Sequence, residues 1–157
     1  VDTIETPRLV LLPLRSEYAD EMAAVLSDPD LHTFTGGAPL TVEELRLRYE
    51  RLVAGWPAWR NWVIRSREEE RLVGYVQATA DERTAEIAWV IGTPWQGRGL
   101  ATESAKALVS RLMEQGIDTI IAHIRPGHAA SAAVASSAGL RPTDQWHDGE
   151  VRWERTS

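Results

Sequence analysis

The sequence predicts an α+β fold: a mixed sheet of six to seven strands, antiparallel in its N-terminal part, with four helices. Three observations predict it. From Trp62 to Ile91, short apolar runs are separated only by charged or polar turns, the pattern of an antiparallel meander. A strand, a glycine-rich corner, a long amphipathic helix and another strand then follow in order, which requires a parallel pair with a right-handed crossover. Two last strands flank Asp148-Gly149, a hairpin signal. The chain has 157 residues, a length that suits one compact domain over 1–157, and it contains no internal repeat or linker.

Each element has its own justification. Arg8 to Leu12 is an apolar strand that Pro13 stops. Ser16 has the chemistry of an N-cap, and Tyr18, Met22, Val25 and Leu26 recur at helical spacing until Asp28-Pro29. Gly36-Gly37 marks a loop. Thr41 with Glu44 is a capping box for a helix whose face is Leu45, Tyr49 and Leu52, ended by Gly55 and Pro57. Trp62 opens a strand, Arg67 to Arg71 is a solvated turn, Leu72 to Ala80 is the next strand, and Asp81 to Thr84 leads into a strand over Glu86 to Ile91. Ala101, Ala105, Leu108, Val109 and Leu112 form the apolar face of a long helix that Gly116 closes. Ile117 to Ile124 is a strand, and its apolar run, Ile120 to Ala122, suggests burial on both faces. Ala129 to Ala138 is a short alanine-rich helix, and Leu140 to Trp146 and Val151 to Arg155 are the closing strands. Trp56, Trp59 and Trp62 either cover a core edge or wall a substrate cleft.

Composition narrows the function. Hydrophobic residues are 43% and charged residues 25%, as in a soluble globular protein. No stretch has the length of a membrane span or the layout of a signal peptide, so no membrane partner and a cytoplasmic location are expected. The absence of cysteine excludes disulfides, thiolate metal sites and a cysteine nucleophile. His32, His123, His128 and His147 are scattered without ligand spacing, so no metal is expected. A net charge of −6 argues against a nucleic-acid partner and tolerates a cationic one.

The corner Gln96-Gly97-Arg98-Gly99, leading into a helix, is an anion site in outline. The first amides of a helix lack internal acceptors, the dipole's positive end faces the same way, and glycine lets a phosphate approach. A P-loop would need Lys and then Ser or Thr after the second glycine, where Leu100-Ala101 stands. A dinucleotide fingerprint would need a small residue where Thr102 stands and an acid at the end of the next strand, whereas Asp118 opens it.

Coenzyme A is a third option, and a family resemblance carries it. Trp95 to Glu103 resembles the acyl-CoA motif of the GCN5-related N-acetyltransferase (GNAT) superfamily, with Gln96, Gly99 and Ala101 at its defining positions. Thr6-Pro7-Arg8-Leu9-Val10-Leu11 resembles the opening of the branch that acetylates ribosomal-protein N-termini, and Gly127 to Leu140 resembles the family's second cofactor segment. The resemblance covers nearly the whole chain. It implies a strand pair that is parallel and splayed at the cofactor site, with acetyl-CoA or another acyl-CoA as cosubstrate. The pantetheine arm would pair along Trp89, Val90 and Ile91, and the diphosphate would meet Gln96, Gly97, Arg98, Gly99, Leu100, Ala101 and Thr102. His128, where relatives often have asparagine, and Ser131 would complete the cofactor site, although His128 also reads as a proton shuttle or as a loop residue in water.

The implied chemistry is direct attack of a primary amine on the thioester. Glu86 is the candidate base, against the alternative of a strand-end glutamate facing solvent or an arginine. An amide at Val90 or its neighbour would stabilise the oxyanion. Many relatives carry an acidic tyrosine where Ala135 stands; Ser136 or Ser137 is the substitute at hand. The acceptor is a protein N-terminus or a small amine, chosen by the loops His32 to Leu40 and Trp56 to Trp62, and homodimerisation is left open. The alternative function is a non-catalytic CoA-binding or sensing domain.

Overall fold

Eight strands, rather than six or seven, form a single mixed sheet in the computed structural model, which describes residues 2–32 and 38–156. The additional strand is β1 (Ile4–Glu5), antiparallel to β2 (Leu9–Pro13). Two residues are too few for an alternating pattern to register in the sequence. The other strands are β3 (Trp59–Ser66), β4 (Arg71–Asp81), β5 (Thr84–Ile91), β6 (Thr119–Ile124), β7 (Arg141–His147) and β8 (Glu150–Thr156). Their order is β1-β2-β3-β4-β5-β6-β8-β7, and β5–β6 is the parallel neighbour pair. The last strand thus inserts between β6 and β7, its hairpin closing through left-handed Asp148 and Gly149, as a tight two-residue turn requires. β3 begins at Trp59, earlier than the expected Trp62, because Trp59 already pairs with Thr79.

The described residues contain four α-helices, α1 (Ala19–Val25), α2 (Val42–Ala54), α3 (Leu100–Glu114) and α4 (Ala129–Ser137). Ser16 is not the N-cap of α1. It opens a short 3₁₀ turn whose Tyr18 amide bonds the Arg15 carbonyl, and its hydroxyl caps nothing. The Thr41–Glu44 capping box on α2 is present in both directions, at 3.2 and 2.9 Å. The Gly36-Gly37 loop lies outside the described residues. α1 and α2 pack against β4 and β3, α3 packs against β5, and α4 lies against α3 and β6. Leu108, Leu112, Ile120, Leu9 and Leu11 are fully buried, so the amphipathic face of α3 and the central strands make one core.

Candidate active site

The site begins where two strands part. β5 pairs with β4 along its whole length, from Asp81↔Thr84 to Gly74↔Ile91. Against β6 it pairs only at Thr84↔Thr119, Ala85↔Ile120 and Glu86↔Ile121. Beyond Glu86, β6 stays with β8 through Ile124↔Val151 and β5 stays with β4, so a wedge opens between them. The local cause lies in β4. Its register against β3 slips between Ile64 and Arg65, a bulge at Val73, and bulges bend and twist a strand. Next to it, Gly74 lies so close to Val90 that a β-carbon there would stand 2.2 Å from the Val90 carbonyl oxygen. β5 follows the bent strand.

The wedge exposes backbone. Gly92 donates to the Val73 carbonyl, and alternation along an antiparallel ladder then turns Val90 toward Tyr75 in β4. The groups facing the wedge therefore belong to Ile87 and to Val90's neighbours, Trp89 and Ile91. Gln96 occupies one of them, its Nε2 donating to the Ile91 carbonyl at 2.9 Å. Trp89 and Ile91 direct their side chains into the core, which fixes the strand while its edge stays open.

The wedge leads to the glycine corner. Gly97 and Gly99 both have φ of +79°, a conformation that side chains disfavour, and nothing lies within 4 Å of a β-carbon placed at Gly97. Gly99 is the N-cap of α3 and offers no side chain to its amides. The first internal bond runs from the Glu103 amide to the Gly99 carbonyl at 3.0 Å. Ahead of it, the amides of residues 97–102 have no acceptor among the described residues. Leu100 is buried and Ala101 packs on the core, so the helix start is anchored while its amides point outward. Arg98 stands beside them, ion-paired to Glu69 at 3.5 Å.

A clamp unseen in the sequence holds this corner. Arg8 donates from Nη1 to the Arg98 carbonyl at 2.8 Å and from Nε to Glu103 at 2.7 Å, and Thr6 donates to the same carboxylate at 2.5 Å. Partial burial pushes the Glu103 carboxyl up, but the bonds from Thr6 and Arg8 more than offset this and hold it below the usual carboxylate range. The Thr6-Pro7-Arg8 opening thus has a physical role, tying β2 to the first turn of α3.

Glu86 stands at the last paired rung, where the wedge begins, and His123 of β6 meets it: Nδ1 to Oε2 is 2.9 Å. Glu86 is half exposed, and the His123 side chain is largely covered. The His147 ring lies 5.2 Å from the His123 ring and contacts Asp148 at 3.2 Å, so carboxylate, imidazole, imidazole and carboxylate follow one another across β5, β6 and the β7–β8 turn. No local spacing in the sequence links His123 to Glu86; only the strand register does.

On the far side of the wedge, His128 caps α4, accepting from the Ser131 amide at 3.2 Å, while Nε2 lies 3.3 Å from the Ser131 hydroxyl. His128 and Ser131 thus form a unit at the helix start. Ala135 is fully buried, and Ser136 and Ser137 are exposed.

Beside Val90 lies a cavity of about 370 Å³ bounded by α1, α2, β3 and β4. Tyr75 and Gln77, neighbours of Val90 and Ala88, face it, together with Arg48 and Tyr49 from α2. Burial pushes the Tyr75 and Tyr49 hydroxyls well above the ordinary tyrosine range. Of the three clustered tryptophans, Trp62 is buried, donates to the Asp2 carbonyl at 2.8 Å and lines this cavity. Trp56 and Trp59 are exposed around a shallower hollow.

The acetyltransferase (GNAT) domain family model matches residues 8–141. The fold is similar to the GNAT-family acetyltransferase from Bacillus anthracis, with a TM-score of 0.84 and 22% identity over 99% of this chain and 98% of that one. It is also similar to RimL, a ribosomal L7/L12 α-N-protein acetyltransferase solved with coenzyme A (TM-score 0.84, 18% identity, 99% and 98% of the chains). A third likeness is to an aminoglycoside acetyltransferase solved with coenzyme A (TM-score 0.79, 16% identity, 94% of each chain). No curated protein sequence matches.

Proposed function

The chain belongs to the GNAT acetyltransferase family and is an acetyltransferase, and from that premise we propose that it moves an acyl group, acetyl first of all, from acyl-CoA to a primary amine. Residues 1–157 act as one catalytic domain. The observation that carries the reading is the wedge between β5 and β6, with unpaired backbone along one wall and acceptorless amides at its end.

Acyl-CoA supplies the thioester that the amine attacks. Everything else falls to the chain. Trp89 and Ile91 offer backbone groups to an extended, amide-bearing arm, as an added strand would use them. The amides from Gly97 to Thr102, with the α3 dipole behind them, take the diphosphate, and Arg98 adds charge once released from Glu69. Gln96 closes the strand end against the corner. The Trp89 amide, aimed into the wedge, is placed to stabilise charge developing on the carbonyl oxygen. His128 and Ser131 border the opposite wall.

An ammonium must lose a proton before it attacks, since an amine of pKa about 8 to 10 is largely charged at neutral pH. Glu86 is the base, and His123 orients it and passes the proton toward His147 and Asp148. Val90 lies four residues from Glu86, about 13 Å along the strand, so a file of several waters, not a single one, carries the proton from an amine held beside Val90 to the base.

The test follows free thiol release from acetyl-CoA with a panel of amines, together with calorimetry of CoA. Glu86→Gln is expected to lower kcat about 100- to 1000-fold while CoA affinity stays within twofold, roughly. Heat with CoA but no amine-dependent thiol from the unaltered protein would favour a CoA-sensing domain instead.

A further inference from the structure

The cavity beside Val90 carries information about the acceptor that no local motif holds. Among the described residues, its wall contains no aspartate or glutamate. Among the nearby acids, Asp20 pairs with Arg46, Asp28 bonds Thr93 and the Asp30 amide, and Glu44 is committed to Thr41. Most of the wall is leucine, alanine, valine and tryptophan. Its one charged side chain is Arg48, which has no carboxylate partner among the described residues. Several other arginines around the fold do have one, as Arg8, Arg46, Arg67, Arg83 and Arg98 illustrate.

Arg48 is also not alone in polarity. Tyr49 follows it on α2 and Tyr75 faces them from β4, and neither hydroxyl makes a hydrogen bond among the described residues. Arg48 lies close enough to act electrostatically on both, yet burial dominates and keeps the hydroxyls protonated as donors. A guanidinium and two phenol O–H groups, beside Asn61 and Gln77 in an otherwise apolar wall, form a cluster that can turn several donors toward one anion. A ligand carrying several ammonium groups would meet the opposite: a cation at the wall and no carboxylate to offset desolvation.

We propose that the acceptor is a small amino acid-like molecule: one primary amine, an apolar body and a carboxylate held by Arg48, Tyr49 and Tyr75. The volume of about 370 Å³ lies in the range of small-ligand sites. With the carboxylate at Arg48 and the body against the leucines, the α-amine, on the carbon next to the carboxylate, lies on the Tyr75 side of the cavity, where Tyr75 pairs with Val90. This inference rests on the acyl-transfer reading for its chemistry but not for its binding step.

The experiment compares apolar α-amino acids with their carboxamides, and with a polyamine, on the full chain. Calorimetry measures binding with and without CoA, and thiol release measures turnover. Carboxylates are expected to bind about ten- to a hundredfold more tightly than carboxamides. Arg48→Gln is expected to erase that preference while leaving carboxamide binding and thermal stability unchanged, and Tyr75→Phe to reduce it in part. Equal binding of acid and amide, preference for the polyamine, or no acceptor binding while CoA binds would each overturn the proposal and leave the donor reading intact. Failure of CoA to bind would overturn the donor reading, and acid-versus-amide binding to the CoA-free protein would still decide this one.

Discussion

The two halves of the proposed site, a donor half and an acceptor half, are built from different materials. The donor half, from the β5 edge through Gln96 to Thr102, is backbone: amides turned outward by two left-handed glycines and a helix start. It comes from one continuous stretch. The acceptor half is side chains drawn from α1, α2, β3, β4 and β5, with no two of its polar groups except Arg48 and Tyr49 adjacent in sequence. A site made of backbone must mark the sequence wherever its conformation forbids a β-carbon. A site made of side chains leaves no local mark, and any fold with an open face can host a different set.

Substitutions on the two halves are therefore expected to separate. The larger effect falls on the donor half. Gly99→Ala places a β-carbon in the left-handed region, at a cost of about 1–2 kcal/mol, and 3.4 Å from the Arg8 guanidinium that braces the corner. CoA affinity is expected to fall about tenfold, read by calorimetry, with the acceptor KM unchanged. An equal rise in acceptor KM would mean that the halves are coupled through α3 and would break the distinction.

The matching change on the acceptor half is Thr41→Ala. It removes the side-chain arm of the capping box on α2, the hydroxyl that accepts from the Glu44 amide, in the helix that carries Arg48 and Tyr49. The expected loss is about 1 kcal/mol, or a fall in Tm of about 2–4 °C for a chain of this size. Acceptor KM should rise and the Kd for CoA should not. If CoA binding weakens instead, the two helices move as one body.

Legibility followed the same division. Gln96 to Thr102 could be read because the glycine spacing and the helix start lie side by side, and the capping box, the Asp148-Gly149 turn and the order of the main elements were legible for the same reason. The wedge itself could not be derived from the residues of β5; it depends on a bulge at Val73 and a close approach at Gly74, both properties of the neighbouring strand. His123 is 37 residues from Glu86 and meets it only through the parallel register. Tyr75 is far from Ala135 in the chain and carries no local mark, yet the sheet brings it opposite Val90. Ser16 misled because its chemistry suits a cap while the chain turns into the helix one step earlier.

The smallest effect concerns the clamp that joins the N-terminal strands to the donor corner. Glu103 receives Thr6, the Arg8 amide and the Arg8 guanidinium, and its carboxyl is held below the ordinary glutamate range. A depressed folded-state pKa stabilises the fold fully above the unfolded value and loses that contribution as pH falls through the folded value. The clamp is therefore intact at neutral pH and loosens on acidification below about pH 4.5. Asp28 and Glu44, also held low by hydrogen bonds, add losses of the same sign, so the wild-type slope alone does not isolate Glu103. The difference from Glu103→Gln does. The variant is expected to have the lower Tm at neutral pH and the shallower acid slope, the two curves converging at low pH. Parallel curves would mean that the Thr6 and Arg8 bonds add nothing that depends on the carboxylate charge, leaving the donor corner held by the α3 packing of Leu100 and Ala101 alone.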